Sequence, residues 1–250
     1  MRVDKSREPI LNVPPIVVAA LVLLVLAHAF RELLLSPLAD HLLVLTFAFV
    51  PIRYDPSMLP GGVLPGGFGA QIWTFFSYAL LHADWMHLGF NAIWLMAFGS
   101  PVARRFGVGR FIAFFIVTAA AGALAHLITH PGGRVVMVGA SAAISGMMGA
   151  ATRFAFQAGG SLDFGRSRRA DPDRVPAAPL EIALRNPRVV AFLAVWFAFN
   201  LLFGLGAVPI AGYDQNVAWQ AHVGGFVAGL LLFALFDPVA PQRDDEYSQF

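Results

Sequence analysis

Six apolar segments follow one another along the chain, and polar stretches separate them. About 20 consecutive apolar residues allow an α-helix to cross the hydrocarbon core of a bilayer. The segments that meet this requirement are 15–35, 84–102, 110–129, 138–157, 189–208 and 217–236. The pattern therefore predicts an all-α, polytopic membrane protein with six transmembrane helices. Pro15 fits the preference of proline for the start of a helix.

The composition excludes a soluble globular domain of this length. Of the 250 residues, 58% are hydrophobic and only 13% are charged, whereas soluble domains are typically about 25% charged. The chain has no cysteine, so neither disulfides nor thiolate chemistry can contribute. No small-residue cleavage site follows the first apolar run, which we interpret as a retained span and not a signal peptide.

The cationic residues predict the orientation of the spans. If the N-terminus is cytoplasmic, fourteen of the 17 Lys and Arg residues lie on the inner side. The outer side keeps Arg31, Arg53 and Arg134. Because cytoplasmic loops carry an excess of Lys and Arg, both termini are expected in the cytoplasm. The predicted organisation is an N-terminal tail at 1–14, a membrane domain at 15–236 and a C-terminal tail at 237–250.

Two long connections differ in character. The outer loop 36–83 is apolar and aromatic, and is expected to lie at the membrane interface. The residues predicted at headgroup level are Trp73, Phe75, Phe76 and Tyr78. The inner loop 158–187 is polar and rich in arginine and proline, which favours contact with anionic lipid.

Four polar side chains on three spans share one predicted depth. Ser141 lies about three residues into the fourth span, and His222 about five residues into the sixth. His87 and Asn91 lie on one face of the second span, near its outer end. All three spans are predicted to enter from the outer side, so all four groups are expected in the outer third of the bilayer. Ionisable and amide groups inside spans indicate a functional site by default.

This set of residues is suited to nucleophilic catalysis. Ser141 is the candidate nucleophile and His222 the candidate general base. His87, Asn91 and the backbone N–H of Ser141 are the candidate oxyanion donors, because the start of a helix leaves its N–H groups free. We expect no carboxylate behind His222, and therefore a dyad. Asn200 is interpreted as a packing residue of the fifth span.

Other interpretations of single residues remain open. His222 could be a hydrogen-bonded packing residue, and Asp84 could pair with His82. His126 and His130 are four residues apart and could suggest a metal or haem, but two histidines without a facing pair form a weak ligand set. We therefore expect no metal and no cofactor.

In three places the sequence resembles the rhomboid intramembrane serine proteases. The family's His-x4-His-x3-Asn pattern corresponds to His82, His87 and Asn91. Its Gly-x-Ser-Gly motif corresponds to Gly139, Ala140, Ser141 and Ala142. Its Ala-His-x-x-Gly motif corresponds to Ala221, His222 and, as the final glycine, Gly225. The resemblance covers about residues 72–236. It implies six spans with cytoplasmic termini and a Ser141–His222 dyad in a wet cavity that opens to the outside.

The sequence departs from the family's pattern at two positions. Ala142 replaces the usual glycine after the nucleophile, and its methyl group could narrow the oxyanion pocket. Ser145 stands where many members have an aromatic residue that packs on the catalytic histidine. Neither departure removes a reacting group.

The resemblance implies hydrolysis of peptide bonds in or beside the transmembrane segments of single-span proteins. The expected partners are such substrates and the lipid bilayer, with no nucleic acid, and the oligomeric state is not specified. The expected location is a bacterial inner membrane, with the site facing the periplasm. Span five, with Trp196, Phe197 and Phe199, is a candidate gate for substrate. Gly225 and Gly229 are expected to pack against Gly146 and Gly149.

Two other functions are considered. One is an inactive relative that binds transmembrane helices, which would need no hydroxyl group at position 141. The other is a solute transporter or proton relay through His82, His87 and His222. The polar residues stop in the outer third of the bilayer, which argues against a continuous path.

Overall fold

The computed structural model describes residues 12–55, 57, 63–163, 171–204 and 218–239, and these residues are predominantly helical. The helices are α1 (Pro15–Leu34), α2 (Pro37–Phe47), α3 (Gly67–Ser77), α4 (Trp85–Trp94), α5 (Ser100–Thr129), α6 (Ser141–Phe154), α7 (Leu180–Arg185), α8 (Pro187–Gly204) and α9 (Trp219–Phe236). One isolated antiparallel bridge joins Phe49 and Met137.

Four helical segments in the described part of the chain are long and apolar enough to cross a membrane. They are Pro15–Leu34, Trp85–Thr129, Pro187–Gly204 and Trp219–Phe236. The 45-residue segment joins α4 and α5 through a π-helix, Leu95–Gly99, and turns sharply at Gly107. Gly107 has φ of +74°, a conformation that side chains other than hydrogen disfavour. The two arms on either side of Gly107 correspond to the second and third predicted spans.

The fourth predicted span, 138–157, forms a shorter helix than the sequence suggested. α6 has 14 residues, which at 1.5 Å per residue gives about 21 Å, less than the hydrocarbon thickness of about 30 Å. The helix begins only at Ser141, because Gly139 adopts φ of +116° and the chain that precedes the helix is a loop. Almost every residue of α6 is buried, so it lies inside the bundle.

Glycine residues allow the backbone of α6 to contact its neighbouring helices directly. A Cβ atom on Gly225 would overlap the carbonyl oxygen of Ala142, and one on Gly229 would overlap that of Gly146. On the other side, a Cβ atom on Gly146 would come within 2.5 Å of Thr118 in α5. The predicted glycine-mediated contact between the fourth and sixth spans is therefore confirmed. Small residues are the usual means of close helix packing in membranes.

The predicted outer loop 36–83 contains α2 and α3, and part of it packs into the helix bundle. The expectation that Tyr78 lies at headgroup level is wrong, because this side chain is only 1% exposed. Its hydroxyl group donates to the carbonyl oxygen of Ala119 in α5, at 2.9 Å. Burial raises the pKa of Tyr78, which keeps the hydroxyl a donor. Trp73 is also fixed internally, since its indole donates to the Thr46 carbonyl oxygen at 3.0 Å.

Arginines hold the end of the bundle opposite Ser141. Arg105 is buried and donates through Nε and Nη2 to both carboxylate oxygens of Asp237, each at 2.8 Å. Its Nη1 donates to the carbonyl oxygens of Asp173 and Val175. Arg104 forms an ion pair with the Asp173 carboxylate. These contacts tie the described part of the inner loop 158–187 to α5 and to the end of α9.

Some residues used in the orientation argument lie outside the described residues. They are Arg2, Lys5, Arg7, Arg166, Arg168, Arg169 and Arg243.

Candidate active site

Ser141 and His222 meet although 81 positions separate them in the sequence. The Nε2 atom of His222 lies 2.7 Å from the Oγ atom of Ser141. Ser141 is the first residue of α6, and His222 lies in the first turn of α9. Both side chains are half-buried. A hydroxyl group and an imidazole at this distance can exchange a proton directly.

The start of α6 supplies backbone donors beside the Ser141 hydroxyl group. The first N–H groups of a helix have no carbonyl partner within that helix. They also form the positive end of the helix dipole. The loop that leads into α6 passes through Gly139, whose N–H donates to the Tyr78 carbonyl oxygen at 3.0 Å. The buried Tyr78 segment therefore holds the loop that presents Ser141.

Asn200 of α8 lies on the opposite side of the His222 ring. Its Oδ1 atom is 2.6 Å from His222 Nδ1, and its Nδ2 atom donates to the Trp196 carbonyl oxygen at 2.8 Å. The interpretation of Asn200 as a packing residue is wrong, because its amide contacts the imidazole directly. Ser141, His222 and Asn200 thus form one continuous chain of polar contacts across three helices.

His87 lies beside the loop that precedes the serine. A Cβ atom on Gly139 would come within 2.7 Å of His87 Nε2 and Cε1, and within 3.7 Å of Ser141 Oγ. The imidazole edge and the hydroxyl group therefore face the same small space, which only glycine leaves open at position 139. Asp84 caps α4 by accepting from the His87 backbone N–H at 2.8 Å. The Asp84 carboxylate thus supports the helix that carries His87.

Asn91 lies one turn after His87 and is buried. Its Nδ2 atom donates to the His87 carbonyl oxygen at 2.9 Å. Its Oδ1 atom meets no hydrogen-bond partner among the described residues. An amide nitrogen carries two hydrogens, so one remains available to an acceptor. A role for Asn91 as an oxyanion donor stays a prediction.

His82 lies behind His87 and is fully buried. The two rings meet edge to face, with their centroids 5.2 Å apart. The carbonyl oxygen of His82 accepts from Arg31 Nη1 at 2.7 Å, and Arg31 also pairs with Asp40. Burial, with a further contribution from His87, lowers the pKa of His82 to about 3. His82 is therefore neutral at physiological pH and packs against His87.

Ala142 directs its methyl group toward α5. A Cβ atom on Gly122 would come within 2.5 Å of the Ala142 Cβ atom, so Gly122 leaves the room that this methyl group fills. The Ala142 carbonyl oxygen faces Gly225 of α9. Gly122 thus accommodates the residue that replaces the family's glycine. Ser145, one turn deeper in α6, is also buried.

His126 and His130 stack on one another, with ring centroids 4.7 Å apart. His126 also packs against Phe49. Within the described residues, no group of three or more potential ligands could hold a metal ion. The pair lies in the C-terminal turn of α5 and the residue after it, where it contributes to packing.

The sequence contained an indication that Asn200 has a polar partner. An amide in an otherwise apolar span is costly unless a polar partner satisfies it. In the predicted topology the fifth span runs outward, so Asn200 falls in its outer half, toward the predicted depth of His222. The sequence could suggest the depth of Asn200 but not the direction in which its side chain points.

Comparisons with known proteins identify the family of the chain. The Rhomboid domain model matches residues 69–238. Over 204 residues, the chain is 26% identical to rhomboid protease GlpG from Pectobacterium atrosepticum, covering 79% of this chain and 62% of that protein. It is 31% identical over 176 residues to protein Rv1337 of Mycobacterium tuberculosis, covering 69% of this chain and 61% of that protein. It is 36% identical over 78 residues to RHOMBOID-like protein 5 of Arabidopsis thaliana, covering 31% and 25% respectively.

The chain spans at most 62% of the length of these curated relatives. The region matched by the Rhomboid domain model nevertheless contains the Ser141–His222 contact, His87 and three of the four apolar helical segments. The expected family resemblance is confirmed. This chain is an integral membrane protein that belongs to the rhomboid family.

Proposed function

We propose that this chain is an intramembrane serine endopeptidase that hydrolyses peptide bonds in or near transmembrane segments. The observation that carries the proposal is the 2.7 Å separation of His222 Nε2 and Ser141 Oγ. A serine hydroxyl group is a weak nucleophile unless a base removes its proton, and this contact supplies the base. Membership of the rhomboid family and the similarity to proteins named GlpG rhomboid protease support the same reaction class.

The proposed reaction has two stages. In the first, His222 takes the Ser141 proton while Oγ attacks the substrate carbonyl carbon. The tetrahedral intermediate then expels the amine, which receives the proton from His222. In the second, His222 removes a proton from water, which attacks the ester carbonyl and releases the acid and the Ser141 hydroxyl group. The same histidine acts first as base and then as acid in each stage.

The negative oxygen of the intermediate needs donors that are already in position. The N–H groups at the start of α6 and the imidazole edge of His87 face the space beside Ser141 Oγ. Asn91 adds an amide on the same side of α4 as His87. We assign these three groups to the oxyanion site. Gly139 allows His87 to approach Ser141, and Gly225 allows α9 to approach the backbone of Ala142 in α6. His82 supports His87.

For the topology we propose six spans within 15–236, cytoplasmic termini and a site that opens to the outer face. The distribution of arginines supports this orientation, because Arg104, Arg105 and Arg153 lie at the end of the bundle opposite Ser141. A reporter active only in the cytoplasm tests it, fused after residue 250 or inserted near Arg168. Both fusions should be active, and one near Gly212, which is outside the described residues, should be silent. The reverse pattern would contradict the orientation.

The proposed substrates are single-span membrane proteins, and the proposed location is a bacterial inner membrane. A backbone inside lipid is hydrogen-bonded within its own helix, so the cleaved segment must first unwind. We therefore expect helix-destabilising residues near the cleaved bond. Phe197 and Phe199 expose ring surface along α8, which makes this helix the candidate contact for an approaching substrate helix.

The proposal is tested with purified protein in liposomes and a labelled single-span reporter. Cleavage should appear with the wild type and be abolished by Ser141→Ala and by His222→Ala, and a fluorophosphonate should label only Ser141. Mass spectrometry of the fragments locates the cleaved bond. Binding of the reporter helix without cleavage or labelling would favour an inactive helix-binding protein instead.

A further inference from the structure

We infer that Asn200 is a positioning residue that fixes the protonation pattern of His222 for catalysis. The inference rests on the proposed function and adds a third residue to the Ser141–His222 pair. It is carried by the 2.6 Å contact between Asn200 Oδ1 and His222 Nδ1, on the side of the ring opposite Ser141.

The hydrogen bonds of the Asn200 amide determine its orientation. Its nitrogen lies 2.8 Å from the Trp196 carbonyl oxygen, an atom that can only accept. If the amide were turned over, two acceptor oxygens would face each other at that distance. The nitrogen must therefore point to Trp196, which leaves the amide oxygen facing His222.

This orientation selects one tautomer of the imidazole. An amide oxygen accepts but cannot donate, so Nδ1 of His222 must carry the proton. Nε2 then has a free lone pair directed at the Ser141 hydroxyl group, which is the form that a general base needs. The other tautomer would place a proton between Nε2 and Ser141 Oγ and would leave two acceptors facing each other at Nδ1. Asn200 thus keeps His222 in its reactive form.

The packing of α8 on α9 holds Asn200 in place. One turn below the Asn200–His222 contact, Trp196 packs against Phe226, with ring centroids 4.7 Å apart. Near the other end, Gly204 lies so close to Trp219 that a Cβ atom would overlap the indole ring. These two contacts fix the register of the helices on both sides of Asn200. Asn200 is 8% exposed, so lipid has little access to the amide.

This role of Asn200 also explains how His222 is held although Ser145 stands where many rhomboid proteases have an aromatic residue. A ring packed on an imidazole restrains its orientation, whereas Ser145 offers only a small side chain. The hydrogen bond that His222 Nδ1 donates to Asn200 restrains both the orientation and the tautomer of His222 from the other side. Asn200 does not contact the nucleophile and acts only through His222.

The test compares Asn200→Leu and Asn200→Asp with the wild type and with Leu235→Ala, an exposed control near the end of α9 far from His222. Leucine has a similar size but no acceptor, so kcat should fall by about 10- to 100-fold, the cost typical of removing the hydrogen-bond partner that orients a metal-bound imidazole. KM should stay within about twofold, because Asn200 does not contact substrate. Asn200→Asp keeps an acceptor and should retain more activity than Asn200→Leu, and Leu235→Ala should match the wild type.

Two readouts separate positioning from a structural role. The rate at which a fluorophosphonate inactivates Ser141 should fall in parallel with kcat. The ¹⁵N spectrum of histidine-labelled protein should show His222 protonated at Nδ1 in the wild type and a mixture of tautomers in Asn200→Leu. His222→Ala assigns the signal. An unchanged tautomer and unchanged inactivation rate in a folded Asn200→Leu variant would overturn the inference. If Ser141 of the wild type does not react with the fluorophosphonate and the wild type does not cleave the reporter, the proposed function fails instead.

Discussion

Gly229 of α9 lies directly against the backbone of Gly146 in α6, where a Cβ atom on residue 229 would overlap the Gly146 carbonyl oxygen. This contact lies two turns after His222 and holds α9 at the distance that the Ser141–His222 hydrogen bond requires. The packing of two glycines therefore sets the geometry of the candidate catalytic pair.

Gly229→Ala should force α6 and α9 apart. Overpacking typically costs about 1 to 3 kcal/mol, so we expect a lower melting temperature. Turnover should fall by more than the loss of folded protein explains, since His222 moves away from Ser141. Gly109→Ala in α5 is the control, because no atom lies within 4 Å of its added Cβ atom. Thermal unfolding in detergent and reporter cleavage measure the two effects, and equal behaviour of the two variants would contradict this account.

Ser145→Ala should retain most activity. Ser145 lies one turn deeper than Ser141, about 6 Å along the helix, and is away from the free N–H groups at the start of α6. The Ser145 side chain is buried inside the bundle, so we expect its hydroxyl group to serve packing. Labelling with a serine-directed phosphonate, followed by peptide mapping, distinguishes the two serines. Modification of Ser145 with Ser141 intact would reject the assignment of the nucleophile.

His87→Ala and Asn91→Ala should each lower kcat by about 10- to 1000-fold, because removal of one oxyanion donor typically has an effect of this size. Both proteins should remain folded. His130→Ala is the matched control, since that ring stacks on His126 away from Ser141 and should leave kcat unchanged. Steady-state cleavage, normalised to folded protein, provides the measurement. Loss of activity in His130→Ala together with inhibition by a chelator would favour a metal-dependent reaction.

Asp237→Ala should destabilise the fold without altering the catalytic residues. Its carboxylate pairs with the buried Arg105, so truncation leaves a buried guanidinium without its partner, at a cost of about 3 to 5 kcal/mol. Asp171→Ala removes an exposed partner of Arg174 and should cost at most about 1 kcal/mol. Unfolding of both variants in detergent or bicelles measures the difference. Equal stability of the two would show that the Arg105 cluster contributes nothing.

The sequence determined the class of the protein and the candidate reacting residues. Apolar length and low charge require a membrane, because a span of about 20 apolar residues is stable only there. Depth can be counted along each helix at 1.5 Å per residue, and this places Ser141, His222 and His87 at one level. The same count cannot say which way a side chain points around the helix axis.

That direction was decided by the packing of helices against each other. Asn200 faces His222 because α8 is held on α9 by the contacts of Trp196 and Gly204. Tyr78 is buried because α3 and the turn after it lean against α5. Ala142 fits because Gly122, twenty residues earlier, leaves room for its methyl group. Each depends on residues far apart in the chain, and contacts of this kind exist only once the helices are packed together.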